Sequence, residues 1–348
     1  MRLRDVCPTI PVCVALAGLV AGCGNFEVQS IVLDLRILSM TVSPPEVLVP
    51  LEAAQDPMNL PEVSVQVCAL IADPVDARDI EYRMTACWPT EESYRCDEPG
   101  RAEVLLTGTP GAPYARVTDP DDSDEPVEVC ATLSSNAVLP VLILDQVEVQ
   151  GSYENVAAQV IGNGANLDVQ VELAVRGVDQ GQEDLQFGSK RVRYALPLPE
   201  GREANQNPAL QALQATVGED EEATPMPVGR CIDVDAPLVV EPGTEIEFEP
   251  IPAEGSREEY LVLTFDGRTR MFTENLVYTW YATHGSGELE QTGGPKDIAG
   301  NDPDPKSVWT APRNPDRVGD GIDVPIWVVQ RDERGGQSWF ETCVRVMP

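Results

Sequence analysis

Short stretches of alternating apolar and polar residues recur along the chain. Val63, Val65 and Val67 lie two residues apart, and the same spacing recurs in Ile246 with Phe248. A period of two is typical of antiparallel β-strands that bury one face. The 31 prolines and 27 glycines interrupt these stretches, which argues against long helices. The pattern therefore predicts an all-β protein.

The strand pattern occurs twice. Each copy has a strand, a charged turn that contains glycine, and a closing strand, and a third strand precedes them. The matching segments are IEYRMTA with LVYTWYA, LDVQVELAVRGVDQGQ with IDVPIWVVQRDERGGQ, and SKRVRYALP with ETCVRVMP. Two copies of one β-sandwich domain explain this repeat better than one large sheet. We expect domain 1 over residues 33–200 and domain 2 over residues 201–348.

The boundary is expected at residues 197–208, where proline, glycine and polar residues replace the alternation. Domain 1 is the longer copy because of an insertion at about 134–165. This insertion contains the apolar run VLPVLIL, and a short helix is expected between Ser152 and Gly162. We therefore predict a small, partly helical insertion in domain 1.

The start of domain 2 has two interpretations. Leu210, Leu213 and Val217 follow helical spacing, and Asn207 before a proline is typical of a helix start. The aligned opening of domain 1, LRILSMTVSPPEV, is rich in Ile, Leu and Val and favours a strand. We predict a strand.

Residues 1–22 have the features of a secretory signal. Arg2 and Arg4 precede an apolar run that ends in small residues and Cys23. This ending resembles the lipobox of bacterial lipoproteins, in which the cysteine becomes the lipid-bearing first residue. Ordinary secretion and a retained helix are the alternatives, but the run is shorter than the ~20 residues that a bilayer core needs. The resemblance implies a lipid on Cys23, a tether at 23–32 and a place in the cell envelope, at the outer membrane.

The formal net charge of −34 makes nucleic acid and anionic membrane surfaces poor partners. The chain has three lysines, Lys190, Lys296 and Lys306. A solvated acidic surface is the simplest interpretation, and calcium binding is the alternative. The expected partners are the membrane, through the lipid, and an unidentified envelope or surface protein or glycan.

Six of the nine cysteines follow Cys23, and an even number in an exported chain predicts three disulfides. Cys87 and Cys96 bracket a short polar turn and form the pair that spacing supports best. The order of the other four cysteines does not fix their pairing.

The C-terminal half contains two of these four, Cys231 and Cys343, which favours a bridge between them and leaves Cys68 with Cys130. Structural zinc is disfavoured because no C-x-x-C pair is present and the single histidine lies far from the cysteines.

His284 and Ser286 are the residues from which a hydrolase site would be built. They lie in HGSG, which follows a predicted strand and is rich in turn residues. A hairpin loop is therefore the preferred interpretation, and no catalytic residue is predicted. A nucleophile elbow of the form G-x-S-x-G is absent from the sequence.

The acidic run DPDDSDEP supplies oxygen ligands suited to calcium. Its candidate ligands are Asp119, Asp121, Asp122 and Asp124. Read as an EF-hand from Asp119, it has aspartate instead of glycine at the sixth position and Cys130 instead of glutamate at the twelfth. A solvated loop is preferred, with weak calcium binding as the alternative and no other cofactor expected.

Four of the five tryptophans lie in the second half and are candidates for a sugar-stacking surface. Trp280 and Trp327 lie within strand patterns and are expected in the core. Trp309 and Trp339 flank turns and are more open to a surface role.

Three segments of the second half resemble bacterial immunoglobulin-like and PKD-like β-sandwich domains. They are YTWYATHGSGELEQT, SVWTAP and VVQRDERGGQSW. The match covers residues 207–348 well and residues 33–200 loosely. It implies two tandem immunoglobulin-like sandwiches, as in surface lipoproteins of Gram-negative bacteria.

In antibody-type domains the disulfide crosses the core between the two sheets. Here Cys68, Cys130 and Cys343 are each out of phase with the neighbouring valines, so peripheral bridges are expected. The sequence as a whole predicts a non-catalytic, lipid-anchored envelope protein with a structural, adhesion or binding role. A calcium-dependent binding module and a hydrolase using His284 and Ser286 are the alternatives.

Overall fold

The structure is a computed structural model. It describes residues 30–50, 62–73, 79–89, 95–96, 101–117, 127–162, 166–178, 180–181, 184–218, 222–264, 267–288, 290–313 and 321–348. The signal segment, Cys23 and the candidate calcium ligands Asp119, Asp121, Asp122 and Asp124 lie outside the described residues.

Domain 1 is a sandwich of two sheets with helices between two of its strands. One sheet has the order β1-β3-β7 and the other β2-β9-β8-β4-β5, with β6 paired to β4. The pairing is antiparallel except for β2, which runs parallel to β9. The elements are β1 (Arg36–Ser43), β2 (Glu46–Leu48), β3 (Ser64–Ala72), β4 (Ile80–Cys87), β5 (Glu103–Leu105), β6 (Ala115–Val117), β7 (Val127–Ser134), α1 (Ser135–Gln150), α2 (Tyr153–Gly162), β8 (Asn166–Gly177) and β9 (Gln186–Ala195).

Domain 2 is a second sandwich, with sheets β11-β10-β13-β19-β17 and β12-β21-β20-β16-β18 and a separate hairpin, β14-β15. A short 3₁₀ turn, Cys231–Asp233, precedes β12. The strands are β10 (Leu210–Val217), β11 (Thr224–Pro225), β12 (Leu238–Val240), β13 (Glu245–Pro252), β14 (Glu259–Leu263), β15 (Thr269–Thr273), β16 (Val277–Ala282), β17 (Ser286–Gly287), β18 (Gln291–Gly293), β19 (Ser307–Thr310), β20 (Ile322–Arg331) and β21 (Gln337–Val346). The predicted all-β fold of two sandwiches with a partly helical insertion is confirmed.

The two domains share one strand order. The β1-β3-β7 sheet corresponds to β10-β13-β19, and the β9-β8-β4 strands correspond to β21-β20-β16. The registers also agree, since Asp168 pairs with Arg193 in domain 1 and Asp323 pairs with Arg345 in domain 2. The sequence repeat is therefore a repeat of topology and register.

Each domain has its own apolar core. In domain 1, Val67 of one sheet and Leu173 of the other belong to one buried cluster. In domain 2, Phe248 and Trp280 are stacked with ring centroids 6.3 Å apart. Burying side chains of this size contributes about 1.5–3 kcal/mol each, so the alternating positions account for the stability of each sandwich.

The insertion contains two helices, and the first begins well before Ser152. The apolar run that follows β7 lies in α1, where Val138, Leu139 and Leu142 are buried against the core of domain 1. The spacing of these residues places them on one helix face. α1 ends at Gly151, whose φ of 83° is the left-handed conformation that glycine adopts most readily.

Residues Leu210–Val217 form a strand, as predicted, and the helical interpretation is wrong. Leu213 and Ala215, two apart, belong to the core of domain 2. Pairing with β13 supplies the hydrogen bonds that a short isolated helix would have to make alone. Within the described ranges, no helix combines the length and apolarity that membrane crossing requires.

Candidate functional site at the domain junction

The chain reaches domain 2 before it enters domain 1. Ile31 forms a parallel bridge with Ala282 at the end of β16. The amide of Val32 donates to the Ala282 carbonyl at 2.8 Å, and the Ala282 amide donates to the Ser30 carbonyl at 2.9 Å. The last three residues of the expected tether, 30–32, are therefore part of the folded body, and the expected end of the tether at residue 32 is corrected.

An apolar cluster joins the outer faces of two sheets, one from each domain. Trp327 of β20 has no exposed surface, and it packs with Leu38 of β1 and Leu70 of β3. Its indole Nε1 donates to Glu341 Oε1 at 2.9 Å. Because the side chain is buried by the other domain, separating the domains would expose about 150–250 Å² of aromatic surface.

The turn between β20 and β21 brings an arginine into this junction. Asp332 Oδ1 accepts hydrogen bonds from the amides of Arg334 at 2.8 Å and Gly336 at 2.7 Å. Gly335 has a φ of 100°, which other residues rarely adopt. The sequence DERGGQ thus forms a turn that directs the Arg334 side chain towards domain 1.

Arg334 connects the two domains through carboxylates. Its Nη2 donates to Glu46 Oε2 of domain 1 at 3.0 Å, and its Nη1 donates to Glu258 Oε2 of domain 2 at 3.2 Å. Glu274 Oε1 lies 3.5 Å from the same nitrogen. Arg202 forms a second ion pair with Glu46. Both glutamates, Glu46 and Glu274, have almost no exposed side-chain surface.

The pKa of Glu274 is raised to about 7, chiefly by burial and then by the negative charge of Asp332. Arg334 acts in the opposite direction but does not cancel these two effects. Burial also raises the pKa of Glu258, although by a smaller amount. The polar half of the junction therefore contains a carboxyl group that titrates near neutral pH.

The linker between the domains is held by both of them. The Asn207 amide nitrogen Nδ2 donates to the Val42 carbonyl at 2.7 Å, and the Gln337 backbone amide donates to Asn207 Oδ1 at 2.9 Å. The Gln337 side chain continues this chain of contacts. Its Nε2 donates to Ser39 Oγ at 2.6 Å, and its Oε1 accepts from Lys190 Nζ at 2.9 Å.

The six cysteines form the three pairs that the spacing favours. The disulfides are Cys68–Cys130, Cys87–Cys96 and Cys231–Cys343. Cys68 and Cys130 lie opposite each other on adjacent strands of one sheet, and Cys343 of β21 is joined to the short 3₁₀ turn. These two bridges do not cross a core, but Cys343 has no exposed surface because the turn covers it.

The structure places His284 in the turn between β16 and β17, and Ser286 at the start of β17. His284 is exposed, and its Nδ1 lies 3.0 Å from Thr283 Oγ1. Ser286 belongs to β17 and pairs with Thr310. HGSG is therefore a turn, made by Gly285 at a φ of 89°, but the hairpin interpretation is wrong, because β16 and β17 belong to different sheets and the turn connects the two.

Three of the four tryptophans of domain 2 are buried. Trp280 belongs to the core of domain 2 as expected, whereas Trp327 is buried by the other domain. Trp309 is 5% exposed, and its Nε1 donates to the His284 carbonyl at 3.0 Å, so the surface role considered for it is wrong. Trp339 is half-buried beside the junction cluster.

One group of potential metal ligands is compact within the described ranges. It consists of Cys68, Glu128 and Cys130, whose ligand atoms lie within 4.8 Å of one another. Both sulfur atoms are already joined in a disulfide, so neither is available as a thiolate ligand. The calcium candidates remain a prediction, since they lie outside the described residues.

Sequence reasoning did not identify the junction residues Arg334, Glu46 and Glu274, which come from segments far apart in the chain. One signal was available for Trp327. The run from Val324 to Val329 is apolar at successive positions, which is typical of a strand covered on both faces.

No family model matches the chain, and no curated protein does. Among solved structures, a transglutaminase from red sea bream is 9% identical with a TM-score of 0.22, over 91% of this chain and 32% of that one. A protein of unknown function from Porphyromonas gingivalis W83 is 12% identical with a TM-score of 0.20, over 89% of this chain and 99% of that one. Mouse clustered PcdhgC3 EC1-3 is 11% identical with a TM-score of 0.18, over 52% and 42%. This chain thus spans about a third of the transglutaminase, and likenesses at this level carry no argument about function.

Proposed function

We propose that this chain is a non-catalytic, lipid-anchored protein of the bacterial cell envelope with a structural, adhesion or binding role. In this role its two sandwich domains act as one stiff unit. The observation that carries the proposal is the buried junction, where Trp327 and Arg334 of domain 2 contact domain 1. Domains that move freely share smaller and more polar interfaces, so this junction favours a fixed arrangement.

The segment Ser30–Val32, which pairs with the end of β16, supports the anchoring part of the proposal. Cys23 precedes Ser30 by seven residues, and an extended chain of that length spans at most about 25 Å. A lipid on Cys23 would therefore keep the end of β16 in domain 2 close to the membrane. The three disulfides agree with an oxidising compartment such as the cell envelope.

The non-catalytic part rests on the scarcity of acid–base groups suited to nucleophilic catalysis. His284 is the single histidine of the chain, and it lies on an exposed turn beside Thr283. Its candidate nucleophile, Ser286, follows it by two residues in the same segment HGSG, whereas catalytic triads draw the base and the nucleophile from different elements of the fold. A stiff display or adhesion module needs no such set.

The anchoring proposal is tested by substituting the lipid-bearing cysteine. We expect Cys23→Ala to move the protein from the membrane fraction to the soluble fraction of the cells that produce it, because no acyl chain can be attached to alanine. Cys13→Ala in the same signal segment is the matched control and should leave the protein in the membrane fraction. Immunoblots of fractionated cells measure both.

Retention of Cys23→Ala in membranes after a high-salt wash would contradict lipid anchoring through this residue. Release of both variants would show that the signal segment, and not the lipid site, determines the location.

A further inference from the structure

The hairpin β14–β15 is a two-stranded sheet apart from both sandwiches. All five residues of β15 are exposed, and Met271 and Phe272 have 58% and 43% of their surface exposed. In the part of the chain that the structure describes, no strand pairs with the outer edge of β15. Natural proteins usually protect such an edge with lysine, proline or a bulge. β15 has none of these three features, so its edge is open to pairing with another strand.

The ladder inside the hairpin determines which backbone groups reach the open edge. The Glu274 amide donates to the Glu258 carbonyl at 3.0 Å, and the Thr264 amide donates to the Arg268 carbonyl at 2.8 Å. The register between these two pairs has no shift. Because hydrogen-bonded pairs alternate in an antiparallel ladder, the even-numbered residues of β15 bond to β14. The odd-numbered residues, with Met271 at their centre, therefore turn their amides and carbonyls outwards.

These outward groups complement a second copy of themselves. When two β15 strands lie antiparallel about a two-fold axis at Met271, each outward amide faces an outward carbonyl of the other copy. In this register Thr269 lies opposite Thr273, and Arg270 lies opposite Phe272. The Arg270–Phe272 pair is not hydrogen-bonded, and opposite side chains approach most closely in such pairs. The contact closes after two copies because both use the same surface.

The ring of Phe272 suits this register. It stacks on Tyr260 of β14 with ring centroids 5.9 Å apart, and the Arg334 guanidinium lies 4.9 Å from the centre of the Tyr260 ring. Since Phe272 is still 43% exposed, part of its ring is accessible from outside. Arg270 of a second copy would form a cation–π contact there. The two-fold axis forms this contact twice.

Charge also favours this hairpin for contact between two copies. The chain has a net charge of −34, so most of its surface repels a second copy. The segment 259–273 contains two acidic and two basic residues and is neutral. In the two-fold register Arg270 faces a phenyl ring, and no like charges lie directly opposite each other within β15. Pairing at this edge therefore avoids the repulsion that cross-strand pairs of like charge produce.

We propose that the outer edge of β15 is a homodimerisation surface, at which two copies of this protein pair antiparallel about Met271. The occupant is a second copy because the outward backbone groups, the Arg270–Phe272 pair and the neutral charge of the hairpin all complement themselves. This inference goes beyond the proposed envelope role, and it does not depend on a lipid at Cys23.

The first test is disulfide cross-linking of the purified full-length protein with a mild oxidant. We expect Met271→Cys to form a covalent dimer on a non-reducing gel. Residues at the axis have Cα atoms about 5.5 Å apart, which a disulfide can span. Thr269→Cys is the matched control on the same exposed strand, and it should stay monomeric because its two copies lie about 14 Å apart. Equal cross-linking of the two variants, or none in Met271→Cys, overturns the proposal.

The second test is sedimentation equilibrium of the purified protein. Met271→Pro removes the outward amide at the axis but none of the hydrogen bonds to β14. It should raise the dimer dissociation constant at least about tenfold. Met271→Gln keeps that amide and should raise the constant about threefold or less. Arg270→Gln removes both cation–π contacts and should raise it about five- to tenfold.

A wild-type protein that stays monomeric at about 500 µM overturns the proposal and leaves the edge of β15 to a different partner. Equal dissociation constants for the wild type and Met271→Pro also overturn it. Equal weakening by Met271→Pro and Met271→Gln would assign the contact to the methionine side chain and contradict edge pairing. If Met271→Pro fails to fold by circular dichroism, Arg270→Gln and the two cysteine variants decide the outcome.

Discussion

Glu172 and Trp327 occupy equivalent positions in the two domains and are buried in different ways. Each lies on the middle strand of its sheet, four residues after the aspartate of the repeated ion pair, and each points away from its own core. Glu172 is covered by Arg83 and Arg95 of its own domain, whereas Trp327 is covered by domain 1. The same backbone thus carries a charged outer face in one copy and an apolar interface in the other.

Some features are common to the two domains and others differ between them. The strand order, the register and the cross-strand ion pairs Asp168–Arg193 and Asp323–Arg345 are common to both copies. The outer faces of the two middle strands differ because they are covered differently. The outer face of β20 packs against domain 1, whereas the outer face of β8 is covered by polar groups that include the Cys96 amide. Pairing within a sheet constrains the register. The residue types on the outer face of the sheet depend instead on what packs against that face.

Of the substitutions considered, Trp327→Ala is expected to have the largest effect on stability. It should lower the free energy of unfolding by about 3–5 kcal/mol because it opens a cavity in a fully buried interface. Urea denaturation followed by circular dichroism measures the loss, and small-angle scattering should show a larger radius of gyration. Trp339→Ala, at a half-buried position beside the same cluster, should cost less than half as much. A loss below about 1 kcal/mol for Trp327→Ala would contradict the proposal that the buried junction holds the two domains together.

Glu172→Gln should have the next largest effect, a loss of about 2–4 kcal/mol in the free energy of unfolding. The substitution leaves Arg83 and Arg95 beside a neutral amide and weakens the acceptor for the Cys96 amide. Urea denaturation measures this loss as well. Asp323→Asn is the control, since that ion pair is partly exposed and should contribute less than about 1 kcal/mol. Equal losses in the two variants would mean that burial does not distinguish these pairs.

Glu274→Gln is expected to have the smallest effect, and the effect depends on pH. Since the pKa of Glu274 is raised to about 7, the folded protein holds a proton that the unfolded chain releases near pH 4.5. Ionisation of Glu274 therefore costs stability as the pH rises from about 4.5 to 7.

Relative to Glu274→Gln, the wild type should lose about 1–3 kcal/mol across this pH window. Denaturation of both proteins at pH 4.5, 5.5, 6.5 and 7.5 measures the difference. A constant difference across the four pH values would show that this carboxyl group does not titrate in the window.

Local pattern predicted much of the fold. The alternation of valines identified strands, because a half-buried strand alternates apolar and polar residues along the sequence. The repeated pair of strands and their turn identified two domains with one strand order. The cysteine spacing favoured the pairs that the structure contains. The insertion was located, but the extent of α1 was not, since an apolar run such as VLPVLIL fits a buried helix and a buried strand alike.

The sequence by itself determined the strands, their repeated order and the even number of cysteines after Cys23, because each of these depends on residues that are close together or counted. Only the tertiary structure decided which surfaces meet. Periodicity shows that Trp327 is buried but not that Leu70 of the other domain buries it, and no spacing rule connects Arg334 with Glu46, 288 residues away. Contacts of that kind follow from packing two folded surfaces together, and the free energy of that packing is not encoded in any single segment.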